Sequence, residues 1–158
     1  MRMVSDGQLA AVASGHGAAE LGDLPEWNLA DLYSGMQAAE LKRDIAKAAQ
    51  DAISFETRWK GTLAAEAERG AAGRLGEALR AYEALEELIG RIVSYAGLVY
   101  AGNTADPQRA KLYGDIQEKM TDASAHLLFF ALELNLIDDA VIEGALRVGG
   151  VAGIDQPG

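Results

Sequence analysis

Apolar residues at helical spacing constrain this chain more than any other feature. Leu41, Ile45, Ala48, Ala52, Phe55 and Trp59 advance by three or four residues at each step. So do Leu75, Leu79, Tyr82, Leu85, Ile89, Ile92, Ala96 and Val99, and again Leu112, Ile116, Met120, Ala123, Leu127, Phe130 and Leu134. That period draws one buried stripe along an α-helix, and helices that each bury one stripe must face one another. The spacing predicts helices over about Gln37–Lys60 and Arg74–Ala101. It predicts a third that starts at Pro107 behind an Asp106 N-cap and ends at Asn135-Leu136-Ile137. Asp138 caps a short fourth helix, roughly Asp139 to Arg147.

The local signals agree with that reading. Ser34 is the expected N-cap of the first helix. Glu56–Lys60 and Asp115–Lys119 are favourable i, i+4 pairs. Gly61 and Gly70-Ala71-Ala72-Gly73 break the first helix from the second, and Gly102-Asn103 stops the second. Ile92 to Tyr100 holds β-branched and aromatic residues that favour strands, but the helical period runs through it unbroken from Leu75. Short connections make consecutive helices antiparallel. The expected fold is all-α: an antiparallel bundle of three long helices plus a short fourth, with an irregular N-terminal strap from Pro25 to Gly35 pinned by Trp27 and Tyr33. Residues 1–23, rich in Gly, Ala and Ser, read as a flexible lead-in, residues 24–148 as the helical domain, and residues 149–158 as a flexible tail.

Two segments carry more apolar surface than a narrow stripe needs. Ile89 to Tyr100 is apolar on most sides, and so is Leu127 to Ile137. A helix that is apolar all round has to be covered all round. In an antiparallel hairpin these segments lie at opposite ends, so they do not cover each other. A residual apolar face marks an interface. The candidate interface residues are Ile92, Val99, Tyr100, Leu128, Phe129 and Leu132, facing either a missing domain or a second copy.

Charge and composition narrow the function classes. The net charge of −10 repels phosphate backbones and anionic lipid surfaces, which speaks against nucleic-acid and membrane partners. The polar helix faces are acidic, whereas membrane-surface helices are usually basic. With no cysteine, disulfides, thiolate metal sites and a Cys nucleophile are excluded. No run approaches the ~18 apolar residues of a membrane span, and the N-terminal Leu9-Ala10-Ala11-Val12-Ala13 run is too weak for a secretory core. The expected location is cytoplasmic.

No constellation specifies a catalytic centre. His16 lies in the lead-in and is expected to be solvated, and His126 has no second His at i+4, so it reads as a packing residue. Glu86-Glu87 and Asp138-Asp139 are adjacent pairs that point about 100° apart on a helix, which is not an acid/base dyad. Ser14, Ser34, Ser54, Ser94 and Ser124 sit in no nucleophile elbow, and no glycine pattern cradles a phosphate. Trp27, Tyr33, Trp59, Tyr95 and Tyr100 read as core or interface anchors.

The strap Leu24-Pro25-Glu26-Trp27-Asn28-Leu29-Ala30-Asp31-Leu32-Tyr33 resembles the opening of oligoendopeptidase F-like zinc metallopeptidases of the M3 family. Tyr95-Ala96-Gly97-Leu98, Asn103-Thr104-Ala105-Asp106-Pro107 and the run from Lys111 to Asp138 resemble later parts of the same opening. The resemblance covers about Leu24 to Glu143. It implies an N-terminal helical domain that walls or lids a cleft in which zinc-activated water hydrolyses oligopeptides. The family's His-Glu-x-x-His motif and further Glu ligand have no counterpart here, so the resemblance carries over no catalytic, metal or cofactor residue; zinc is implied only for a full-length enzyme. After about Ala145 the pattern departs from the family. An excised domain, a truncated gene product and a short paralogue all fit. The expected function is a non-catalytic domain whose partner is a missing catalytic domain. The alternative is a standalone helical protein, without enzymatic activity, that pairs with itself.

Overall fold

The computed structural model describes residues 29–150. The lead-in, Trp27 and residues 151–158 lie outside the described residues. After a 3-10 turn at Leu29–Asp31 come α1 (Ala39–Trp59), α2 (Leu63–Glu68), a 3-10 turn at Gly70–Ala72, α3 (Leu75–Gly102), α4 (Pro107–Ala125), α5 (Leu128–Asn135) and α6 (Asp139–Gly150). The fold is all-α, and no strand occurs among the described residues.

The long helices α1, α3 and α4 pack on one another, as their stripes require. Leu41, Ala48, Ala52, Phe55 and Trp59 of α1 are buried against Leu85, Ile89, Ile92, Ala96 and Val99 of α3 and Ile116, Met120 and Ala123 of α4. Each large side chain so buried is worth about 1.5–3 kcal/mol of transfer free energy. Small residues set the spacing: Ala48, Ala52, Ala78 and Ala96 have no measurable exposure, so helix backbones approach closely there. Arg58 on the last turn of α1 pairs with Glu77 on the first turn of α3, which fixes their antiparallel sense. Arg109 near the start of α4 donates to the Val99 carbonyl near the end of α3 at 3.0 Å, and Tyr113 stacks on Tyr100.

In the described part of the strap Tyr33 is the anchor, through partners the sequence did not reveal. Tyr33 is buried, donates its O–H to Asp44 Oδ2 at 2.9 Å and meets the Tyr95 ring edge-on. Arg91 lies over the Tyr33 ring and donates to the Leu32 carbonyl at 3.0 Å. Ser34 does not cap α1. The N-cap is Ala38, and Glu40 reaches back to accept from both the Ser34 hydroxyl and its backbone N–H. The strap needs an extended Ala38, so Ser34 is four residues too early to cap.

Three further expectations are corrected. The third helix is not continuous: it breaks at His126-Leu127 into α4 and α5. His126 and Leu127 bond to Ala123 and Ser124, three residues back, and that tighter turn redirects the chain while keeping the apolar stripe in phase. Asp115 pairs with Lys111, one turn earlier, rather than with Lys119. The glycine-rich break holds a helix of its own, α2, whose Leu63 and Ala67 are buried. Gly61 and Gly70 take positive φ of 81° and 55° on either side of it. Asp106 and Pro107 start α4 as expected, with Asp106 accepting from Gln108 N. Asp138 accepts from Ala140 N at the start of α6, which runs past Arg147 to Gly150.

Candidate functional site

The kink at His126-Leu127 decides what α5 shows to solvent. Beyond that break α5 contacts α2. One side of it is deeply covered. Phe130 stacks on Tyr82 at 4.3 Å and meets Phe55 at 5.6 Å, while Phe129 meets Phe55 at 5.5 Å. The other side is open. Leu128, Leu132 and Leu136 follow at i, i+4 and i+8 and are 65%, 66% and 87% exposed. They form one apolar ridge about 12 Å long, taking 1.5 Å per residue. The exposed face of α5 between them carries no charge; its one acidic residue, Glu133, turns inward to accept from Gly61 N at 2.5 Å.

Leu136 also walls a crevice of about 280 Å³ between α2, α5 and α6, together with Ala64, Glu68, Glu133, Ile137, Asp138 and Val141. Its floor is apolar and its charges are all carboxylates. Glu133 Oε2 is shut off from solvent there without a hydrogen-bond partner.

Of the six candidate interface residues, the structure brings Leu128 and Leu132 together on the open ridge. Ile92, Val99 and Phe129 are corrected: the chain's own helices bury them, which leaves no surface for a partner. Tyr100 is half-buried and its ring face is taken by Tyr113. The apolar excess of Ile89 to Tyr100 is absorbed by α1, α4 and Tyr33, whereas that of Leu127 to Ile137 is only half absorbed. Leu136 was missed as an interface residue, although its i+4 step from Leu132 was visible.

A second concavity, of about 430 Å³, lies between α1 and α3. Phe55, Trp59, Ala84, Leu85 and Leu88 line it, and the Lys47–Asp51 ion pair sits on its rim. It holds Ser54, whose hydroxyl accepts from Gln50 Nε2, while the lining Asp51 and Lys47 are paired with each other.

His126 is the C-cap of α4 and 37% exposed in its side chain. Its Nδ1 lies 2.5 Å from Glu56 Oε2, and Lys60 donates to Glu56 Oε1 at 3.0 Å. The His126 bond, then the Lys60 bond, hold the Glu56 carboxyl below its ordinary range. This cluster supplies one carboxylate and one imidazole, short of the three protein ligands of a catalytic zinc. Among the described residues no group of three or more His, Asp or Glu could hold a metal ion. These residues therefore do not fit the zinc that the resemblance implies for a full-length enzyme. Among the described residues no helix is long and apolar enough to cross a membrane. No protein-family model, no curated protein and no solved structure matches this chain.

Proposed function

We propose that this chain is a non-catalytic helical domain of an oligoendopeptidase F-like zinc metallopeptidase, whose role is to pack against a catalytic domain and shape oligopeptide access to it. One observation supports the reading beyond the sequence resemblance: the ridge of Leu128, Leu132 and Leu136, left open by an otherwise well-covered core. A contiguous apolar ridge in a chain of net charge −10 is a surface made to be covered. The cytoplasmic location belongs to the same reading and rests on the sequence.

The deciding experiment is to read the gene past codon 158 in all forward frames. A His-Glu-x-x-His followed by a downstream Glu is the expected result. An in-frame stop with no such motif in any frame overturns the reading. Zinc-dependent peptide hydrolysis by the purified chain, abolished by a chelator, overturns its non-catalytic part. The second reading, a standalone protein that pairs with itself, draws on the same ridge, and light scattering of the purified chain tests it.

A further inference from the structure

We infer that the α5 ridge and the crevice beside it form one docking surface, and that its occupant is a basic amphipathic helix rather than a second copy of this chain. The inference rests on reading the α5 face as an interface and names the chemistry of what covers it. The ridge supplies the apolar half. Leu128, Leu132 and Leu136 are aligned along one helix, which suits a partner helix bearing apolar residues at i and i+4.

The crevice supplies the charged half. Glu68, Glu133 and Asp138 line it, and no basic side chain does. Asp138 already serves α6 through Ala140 N, and Glu133 already serves Gly61 through Oε1. Glu133 Oε2 serves nothing, though it is shut off from water. The covered Glu133 carboxylate adds to the negative field of the crevice, and a guanidinium or ammonium entering it would meet the exposed Glu68 and Asp138 carboxylates with charge-assisted bonds. Ala64, Ile137 and Val141 would meanwhile contact the stem of that side chain.

The same charges argue against a second copy. A two-fold interface sets one patch against itself. It would bring two acidic crevices together, in a chain already at −10, and offer no donor to the Glu133 Oε2 of either copy.

The test uses the full chain and two fluorescent synthetic helices with leucines at i, i+4 and i+8. One carries Lys and Arg at the flanking positions and the other carries Glu. Anisotropy should show saturable binding of the basic helix, weakened at least tenfold by Leu132→Ser and severalfold by Glu133→Gln, and loosened by salt. Glu133→Gln keeps an acceptor for Gly61, so a fold defect does not mimic the loss; circular dichroism checks both variants. Equal binding of both helices, no binding of the basic one, or binding indifferent to Leu132→Ser overturns the inference. So does a dimer in light scattering that Leu132→Ser abolishes. A failed peptide test alongside a downstream His-Glu-x-x-His removes the partner chemistry and leaves the domain reading standing.

Discussion

His126 Nδ1 lies 2.5 Å from Glu56 Oε2, so the residue that ends α4 is tied to the last turn of α1. The bond sits where α4 gives way to α5, beside the tighter turn at His126-Leu127. Both side chains are partly exposed, so the tie is a modest stabiliser, screened by solvent. Its pH dependence is nonetheless definite. The Glu56 carboxyl is held below its ordinary 4.5, first by His126 and then by Lys60. A depressed carboxyl contributes stability that is present above the unfolded value and lost as pH falls through the folded one. Glu56→Gln should therefore lower the urea midpoint near neutral pH, and the gap should start to close as the pH falls past 4.5 and vanish only below the lowered folded value. A gap that stays constant into acid would show that the carboxylate is not what matters there.

Phe130 is 2% exposed, stacked on Tyr82 and tilted against Phe55. Truncating it to Ala leaves a cavity among rings that do not collapse easily. The expected loss is about 3–5 kcal/mol, read from urea denaturation. A loss below about 1 kcal/mol would place the ring outside the core. Leu128→Ala, two residues away on the open side, should change stability by no more than about 0.5 kcal/mol.

That contrast marks what the sequence could and could not say about α5. The long helices were legible because Leu41 to Trp59 and Leu75 to Val99 each keep one stripe over many turns, and Asp106-Pro107 is a start signal with a mechanism. The kink at His126 was not legible, because Met120, Ala123, Leu127 and Phe130 keep the same period across it. Helix α2 was hidden by its six-residue length and by flanking glycines. The candidate interface was half legible. A run that is apolar all round says that cover is needed, but not which side the fold will cover. Phe129 and Leu128 are neighbours in sequence, about 100° apart on the helix, and packing against Phe55 decides which of them is covered. Glu56–His126 and Arg91–Leu32 span 70 and 59 residues, and no local signal pairs residues so far apart.

Gly73 and Gly144 should respond in opposite directions to the same substitution. A Cβ on Gly73 would stand 1.8 Å from the Glu66 carbonyl oxygen, a backbone atom that α2 holds in place. Gly73→Ala must push the start of α3 away from α2, disturbing the bond from Arg74 N to Glu66 Oε2. The expected cost is about 1–3 kcal/mol. Gly144 lies inside α6 with nothing within 4 Å of its added Cβ. Gly144→Ala should raise stability by about 0.5–1 kcal/mol through helix propensity. Thermal melts of the two variants, run side by side, check both signs; a stabilised Gly73→Ala would mean that the α2–α3 junction is loose.

Tyr33 gives the strap a signature in alkali. Burial first, then the hydrogen bond to Asp44 and that residue's charge, push its phenol from 10.0 to about 12. Arg91 and Arg43 oppose the shift without cancelling it. A phenol raised in the folded state contributes stability that is whole below the unfolded value and is lost as pH rises through the folded one. The window therefore runs from 10.0 to about 12. Tyr82 and Tyr95 are also raised by burial, so the wild-type decline in this window has more than one source. Tyr33→Phe isolates the strap's share. It removes the hydroxyl that donates to Asp44, so the variant should be weaker by about 0.5–1.5 kcal/mol below the window. It also removes the ionisation, so the gap to wild type should narrow as pH rises across the window. Urea midpoints measured at steps through it decide the matter. A gap of constant size would mean that folding does not raise the Tyr33 phenol.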